Sequence, residues 1–168
     1  MTHVVPYATD TGISLEKAAT VISLIGAFQI ISRLAVGRIS DIAGRKIPGV
    51  ACTLIGICAL IWLIWSRELW MFYTFAVIFG IAYGGIGVVN LAFVGDIFGR
   101  RNLGTIMGIL EVAFAAGSAI GSFLGGYVFD ATESYGVAFA IGAASMLVLA
   151  LLYIAITREE MNAKIIEL

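Results

Sequence analysis

The sequence predicts an all-α integral membrane protein, on three observations. Hydrophobic residues fill 61% of the 168 positions and charged residues only 12%, whereas a soluble domain carries about 25% charge; the polar surface that a water-facing globule needs is missing. The apolar residues gather into five runs of the roughly 17–25 residues that a membrane helix requires. Short polar connections separate the runs, and none has the ~10-residue alternation of a barrel strand. Ten Lys plus Arg against eleven Asp plus Glu also leave no basic field for nucleic acid.

Taken in order, residues 1–17 (MTHVVPYATDTGISLEK) hold no complete span. They lack the basic, apolar and cleavage regions of a signal peptide. They read as the outer end of a helix whose first part is missing, with a five-span protein as the alternative, and His3 reads as a solvated, titratable side chain. The first full span is 18–36 and the second 47–65, where Trp62 and Trp65 fit lipid-facing or interfacial anchors. Cys52 and Cys58 point to different faces of that second helix and cannot bridge. The third span, 69–94, carries Gly80 and Gly84; the fourth, 105–129, carries Gly117, Gly121 and Gly125. Small residues every four positions bare one helix face for close packing against protein. The fifth span is 135–156, followed by a tail from Thr157.

Basic residues set the orientation, because cytoplasmic loops retain Lys and Arg. One side holds Arg38, Arg45, Lys46, Arg100, Arg101, Arg158 and Lys164, and the other only Lys17 and Arg67. The first side is therefore expected to be cytoplasmic, with the C-terminus on it, in a plasma (inner) membrane.

The connection from Gly37 to Lys46 has physical content of its own. It reads as a tight turn in which Gly37 and Gly44 permit close approach or positive φ. Asp41 can accept hydrogen bonds at a helix N-terminus, and Arg38 and Arg45 are within reach as partners. Gly37, Asp41, Gly44, Arg45 and Lys46 match G-x-x-x-D-[RK]-x-G-R-[RK], so the sequence resembles the major facilitator superfamily, although Ile42 stands where that family has a basic residue. The stretch Asp96 to Gly104, with Arg100 and Arg101, is similar to the acidic-then-basic loop between the family's tenth and eleventh helices. PYATDTGIS resembles the outer end of the seventh helix in monocarboxylate and oxalate/formate-type porters.

This resemblance implies half of a twelve-helix major facilitator fold, its C-terminal half over residues 1–168, with the other six helices as its partner. Charged groups at the membrane surface can then latch helix ends: Asp41 with Arg45 or a neighbouring helix end, and Asp96 with Arg38 or Arg100. Each exposed pair contributes only about 0–1 kcal/mol, but a small bias shifts a two-state equilibrium.

Ionisable groups inside a span cost about 2.5–3.5 kcal/mol at its centre, so they point to function. Arg33 lies one turn after Gln29 on the same face, and a guanidinium offers a planar fork to a carboxylate. The alternative is snorkelling, since Arg33 is only ~6 Å from Gly37 along the helix. The porter resemblance implies a substrate-binding arginine at this position, with Gln29 in place of an acidic residue found in some members. Glu111 lies ~9 Å into the fourth span. It reads as an ion partner of Arg33, as a protonatable coupling carboxylate, or as a surface-reaching acid paired with Arg100 or Arg101. The oxalate-type resemblance would call for a second basic residue on that helix; none occurs, so a monoanion fits better than a dianion. Tyr83 and Asn90, seven apart on one face of the third span, are cavity-lining candidates, with an interhelical bond as the alternative for Asn90.

These readings lead to a secondary transporter, symporter or antiporter, moving a small organic anion by alternating access as part of the larger carrier, with a proton or counter-anion as coupling partner. A truncated, non-transporting interaction module and a carrier for a different solute class are the alternatives. The spans contain no His, no paired carboxylates and no Ser/His arrangement, so no enzyme, metal or cofactor is expected.

Overall fold

The computed structural model describes residues 3–99, 101, 103–132 and 135–166, with side chains described through residue 155. The described residues form α1 (Val4–Asp10), α2 (Leu15–Ala43), α3 (Lys46–Ile64), α4 (Leu69–Phe98), α5 (Leu103–Thr132) and α6 (Tyr135–Ile166). Five of these helices are long and apolar enough to cross a membrane. Helix is what such runs must form, because lipid offers the backbone no hydrogen-bond partner.

Each expected span lies within one helix apart from a terminal residue of the second, but the helices outrun the apolar stretches. α2 extends to Ala43 and α4 to Phe98, so most of the connection expected as a turn is helical. Hydropathy marks where lipid ends; backbone hydrogen bonding ends later, at Gly44 (φ 78°) and Gly99 (φ 72°), where a glycine takes up a conformation that side chains resist. Asp41 consequently lies in the last turn of α2 rather than at the start of a helix.

α2 and α4 run in the same direction and form the most extensive interface, while α3 packs on both α4 and α6. Lipid tails are as apolar as the helix faces, so association rests on close packing and interhelical hydrogen bonds. Gly80 and Gly84 supply the close approach: a Cβ on Gly80 would lie 2.8 Å from the Ile25 carbonyl oxygen. Beside them the buried Ser32 hydroxyl donates to the Ile81 carbonyl at 2.5 Å. Gly85 faces Cys52 of α3, which is buried and free, whereas Cys58 is exposed and free. One core cluster, including Val21, Ile25, Leu63, Phe72 and Phe75, lies toward the face opposite the basic helix ends. A smaller one, with Val36, Cys52, Ile86, Val89 and Tyr153, lies toward the basic face.

At the opposite face α1 is pinned through Tyr7. Its hydroxyl donates to the carbonyls of Ile64 (3.1 Å) and Ser66 (3.0 Å) and accepts from Arg67 Nη1 at 3.0 Å. Trp65 is exposed, as an anchor should be, while the Trp62 indole N–H donates to the Met71 carbonyl at 3.2 Å.

α5 stands apart from the bundle, and a cleft lined by Phe75, Phe79, Ser118, Gly121 and Met146 separates them. Gly117 and Gly121 have nothing within 4 Å of a built Cβ, so the bare face expected to pack meets protein only at Gly125. There His3 Nε2–H donates to the Ser122 carbonyl at 3.1 Å. A Cβ on Gly125 would sit 2.6 Å from that nitrogen, so the missing side chain is what admits the ring. His3 is therefore a docking residue, not the solvated side chain expected.

Candidate functional site

The α2–α4 register carries two polar groups at different depths. Midway along, Gly84 draws α4 onto the backbone of Gln29, and Arg33 follows one turn later on α2. Gln29 is half-buried and Arg33 exposed. Arg33 makes no hydrogen bond or ion pair among the described residues. Half-buried Tyr83 stacks on Phe79 with ring centroids 5.7 Å apart, and its hydroxyl lies within the electrostatic fields of both Glu111 and Arg33. Glu111 is exposed on α5. Arg33 and Glu111 thus both lie within electrostatic reach of Tyr83, Gln29 stands one turn before Arg33 on α2, and no ion pair joins the two charges among the described residues.

This arrangement has a definite chemical capacity. An uncommitted guanidinium presents paired N–H donors in the plane that a carboxylate fork requires, and an amide and a phenol beside it add further donors. Low-dielectric helix walls strengthen each such bond relative to water.

Asn90 is exposed on the Tyr83 side of α4, yet its Oδ1 is already engaged as acceptor of the Tyr153 hydroxyl from α6. Tyr153 escaped the sequence reading. The signal present was a single phenol in the second half of an otherwise apolar span, which by itself names no partner.

At the basic face the ends of α2, α3 and α4 meet on Arg45. Its Nη1 donates to Asp41 Oδ1 at 2.6 Å and to Ser40 Oγ at 3.1 Å, and its Nε to Asp96 Oδ2 at 2.8 Å. Asp41 therefore pairs with Arg45, one of its anticipated partners. Asp96 also pairs with Arg45; of its two expected partners, Arg38 is exposed and forms no ion pair with it among the described residues, and Arg100 lies outside them. The cause is the Gly44 turn, which sets Arg45 at the N-cap of α3 between the two carboxylates. Hydrogen bonds to Asp96 and then Asp41 push the Arg45 pKa above its already high ordinary value, so its positive charge is constant. Gly37 contacts Val88, where a Cβ would have 3.6 Å of room. Lys46 opens α3 half-buried, and Arg101 is exposed. Arg100 lies outside the described residues, as do the side chains of Arg158 and Lys164.

With this geometry in view, residues 2–166 match the sequence profile of the Major Facilitator Superfamily. Monocarboxylate transporter 12 of Xenopus laevis is 27% identical over 150 residues, 86% of this chain and 32% of that protein. Monocarboxylate transporter 3 of Rattus norvegicus is 28% identical over 159 residues, 91% of this chain and 32% of that protein. The class H tetracycline resistance protein of Pasteurella multocida is 32% identical over 157 residues, 89% of this chain and 38% of that protein. The chain spans about a third of the length of the first of these relatives.

Proposed function

The chain belongs to the Major Facilitator Superfamily, and from that premise we propose that it forms the C-terminal half of a secondary carrier moving a small organic anion, monocarboxylate-like, by alternating access. The observation that carries this reading is Arg33, a guanidinium within a membrane helix that has no protein partner among the described residues. A charge at such depth is retained for a ligand or pathway, and a carboxylate is the ligand its fork fits. Two of the similar proteins, both monocarboxylate transporters, support the same class.

Arg33 and Gln29 bind the carboxylate, Tyr83 lines the site, and Glu111 acts as coupling carboxylate, exchanging a proton as the anion enters and leaves. The cavity is completed by a second six-helix half, as midplane sites between repeats are in such carriers. The Arg45 cluster ties three helix ends at the basic face and releases them as that face rearranges. The Lys and Arg asymmetry supports a cytoplasmic basic face in a plasma (inner) membrane.

Arg33→Lys in the complete carrier tests the reading, because it keeps the charge and loses the fork. Uptake of labelled pyruvate should lose affinity by about tenfold or more, the equivalent of one charge-assisted hydrogen bond. Unchanged affinity would mean that Arg33 only snorkels to headgroups.

A further inference from the structure

We infer that Tyr153 is a positioning residue for anion passage: it holds the Asn90 amide with its N–H donors turned to the open face. The inference rests on the anion-carrier reading above and adds to it a residue that acts through another.

An asparagine amide has two ends of opposite character, an acceptor oxygen and a donor nitrogen, and either can face a ligand. Asn90 Oδ1 accepts from the Tyr153 hydroxyl, which commits the acceptor to α6. Its Nδ2 has no partner among the described residues, and the residue is exposed. The donor end is therefore left for a ligand, on the side of α4 that carries Tyr83 two turns earlier. Asn90 itself then offers a ligand N–H groups and not its carbonyl oxygen, which favours an anion over a cation at that position.

The phenol can hold the amide only if the ring itself is held, and it is. Tyr153 is buried. Its ring lies against Gly49 of α3, where a Cβ would come within 3.1 Å of a ring carbon. Phe93 of α4 meets it edge-on, centroids 6.1 Å apart at 81°. Three helices thus aim one hydroxyl at one amide. A hydroxyl can donate or accept, so a tether alone is served by either amide orientation; the orientation present is the one that leaves the two N–H donors to a ligand.

A double-mutant cycle in the complete carrier, read by initial rates of labelled pyruvate uptake, separates these roles. Asn90→Ala and Tyr153→Phe should each raise KM about tenfold, one hydrogen bond to a charged group, with kcat held. The double variant should be no worse than Asn90→Ala alone. Losses that multiply in the double variant, or a wild-type KM in Tyr153→Phe, would overturn the inference. Asn90→Asp covers the case in which Tyr153→Phe fails to reach the membrane. It keeps an acceptor for Tyr153 but replaces the donors by a second acceptor, so uptake should be lost, and retained affinity would overturn the inference too. Arg33→Lys, measured in parallel, keeps the two levels apart. If it loses affinity while Tyr153→Phe does not, only the role of Tyr153 fails; if Arg33→Lys is itself silent, the anion-carrier reading fails.

Discussion

Gly84 stands so close to Gln29 that a Cβ on it would come within 2.5 Å of the Gln29 carbonyl oxygen and 2.8 Å of its Cα. Both obstacles are backbone, so neither can swing aside. The contact sets the separation of α2 and α4 one turn before Arg33 and beside Tyr83 in sequence, and with it the width of the proposed site.

Gly84→Ala should separate the two helices and destabilise the protein by about 1–3 kcal/mol, as overpacking does elsewhere. The thermal midpoint of the purified carrier checks this. Gly26→Ala serves as the control, since Gly26 has nothing within 4 Å of a built Cβ, and it should leave the midpoint in place. Equal midpoints for the two variants would mean that the α2–α4 approach yields more easily than its backbone contacts allow.

At the basic face, Arg45 is shared between Asp41 and Asp96, and the sharing has a kinetic consequence. Each pair is partly solvated and by itself contributes about 0–1 kcal/mol. Arg45→Gln removes both at once. It should lower kcat several-fold with little change in KM, because in the proposed carrier the cluster biases access and touches no substrate. Asp96→Asn should show a smaller effect of the same kind, and adding it to Arg45→Gln should change nothing further. A rise in KM without loss of kcat would move the cluster from gating to binding.

The opposite face has its own pin. Tyr7→Phe removes the acceptor of Arg67 and the donor to two carbonyls while keeping the ring against Phe72, Tyr135 and Phe139. It should destabilise by about 0.5–1.5 kcal/mol, the net value of a typical hydrogen bond, seen as a lower thermal midpoint. Arg67→Ala leaves the Tyr7 bonds to the Ile64 and Ser66 carbonyls in place and removes one hydrogen bond and the guanidinium lying 5.7 Å from the Tyr7 ring centroid, a cation–π contact contributing about 0.5–1 kcal/mol at an exposed position, so its cost should be of the same order.

The residues that were legible in the sequence share one property: their meaning is local. Spans follow from apolar length, the Gly44 turn from glycine at a helix end, and the Asp41 and Arg45 pair from neighbours four apart. Asp96 meets Arg45, a partner that spacing does not name, because 51 positions separate the two across a turn whose geometry no spacing rule encodes. Tyr153 and Asn90 are 63 apart, and His3 reaches Ser122 over 119 positions. Such contacts are made by helix packing, which in a membrane depends on which small residues meet. The glycine pattern named two candidate faces, on α4 and α5; only the one on α4 is filled along its length.

Glu111 supplies the last test, because it and Arg33 both act on Tyr83 without pairing with each other. In the proposed carrier Glu111 holds the coupled proton while the anion is bound. Glu111→Gln mimics that protonated state permanently. Accumulation of labelled pyruvate against a gradient, driven by an imposed pH difference, should be abolished, while exchange of labelled for unlabelled pyruvate at equal pH should persist, since exchange needs no net proton movement. Loss of both activities would assign Glu111 to binding or folding, and retention of both would leave it as a surface-reaching acid outside the coupling path.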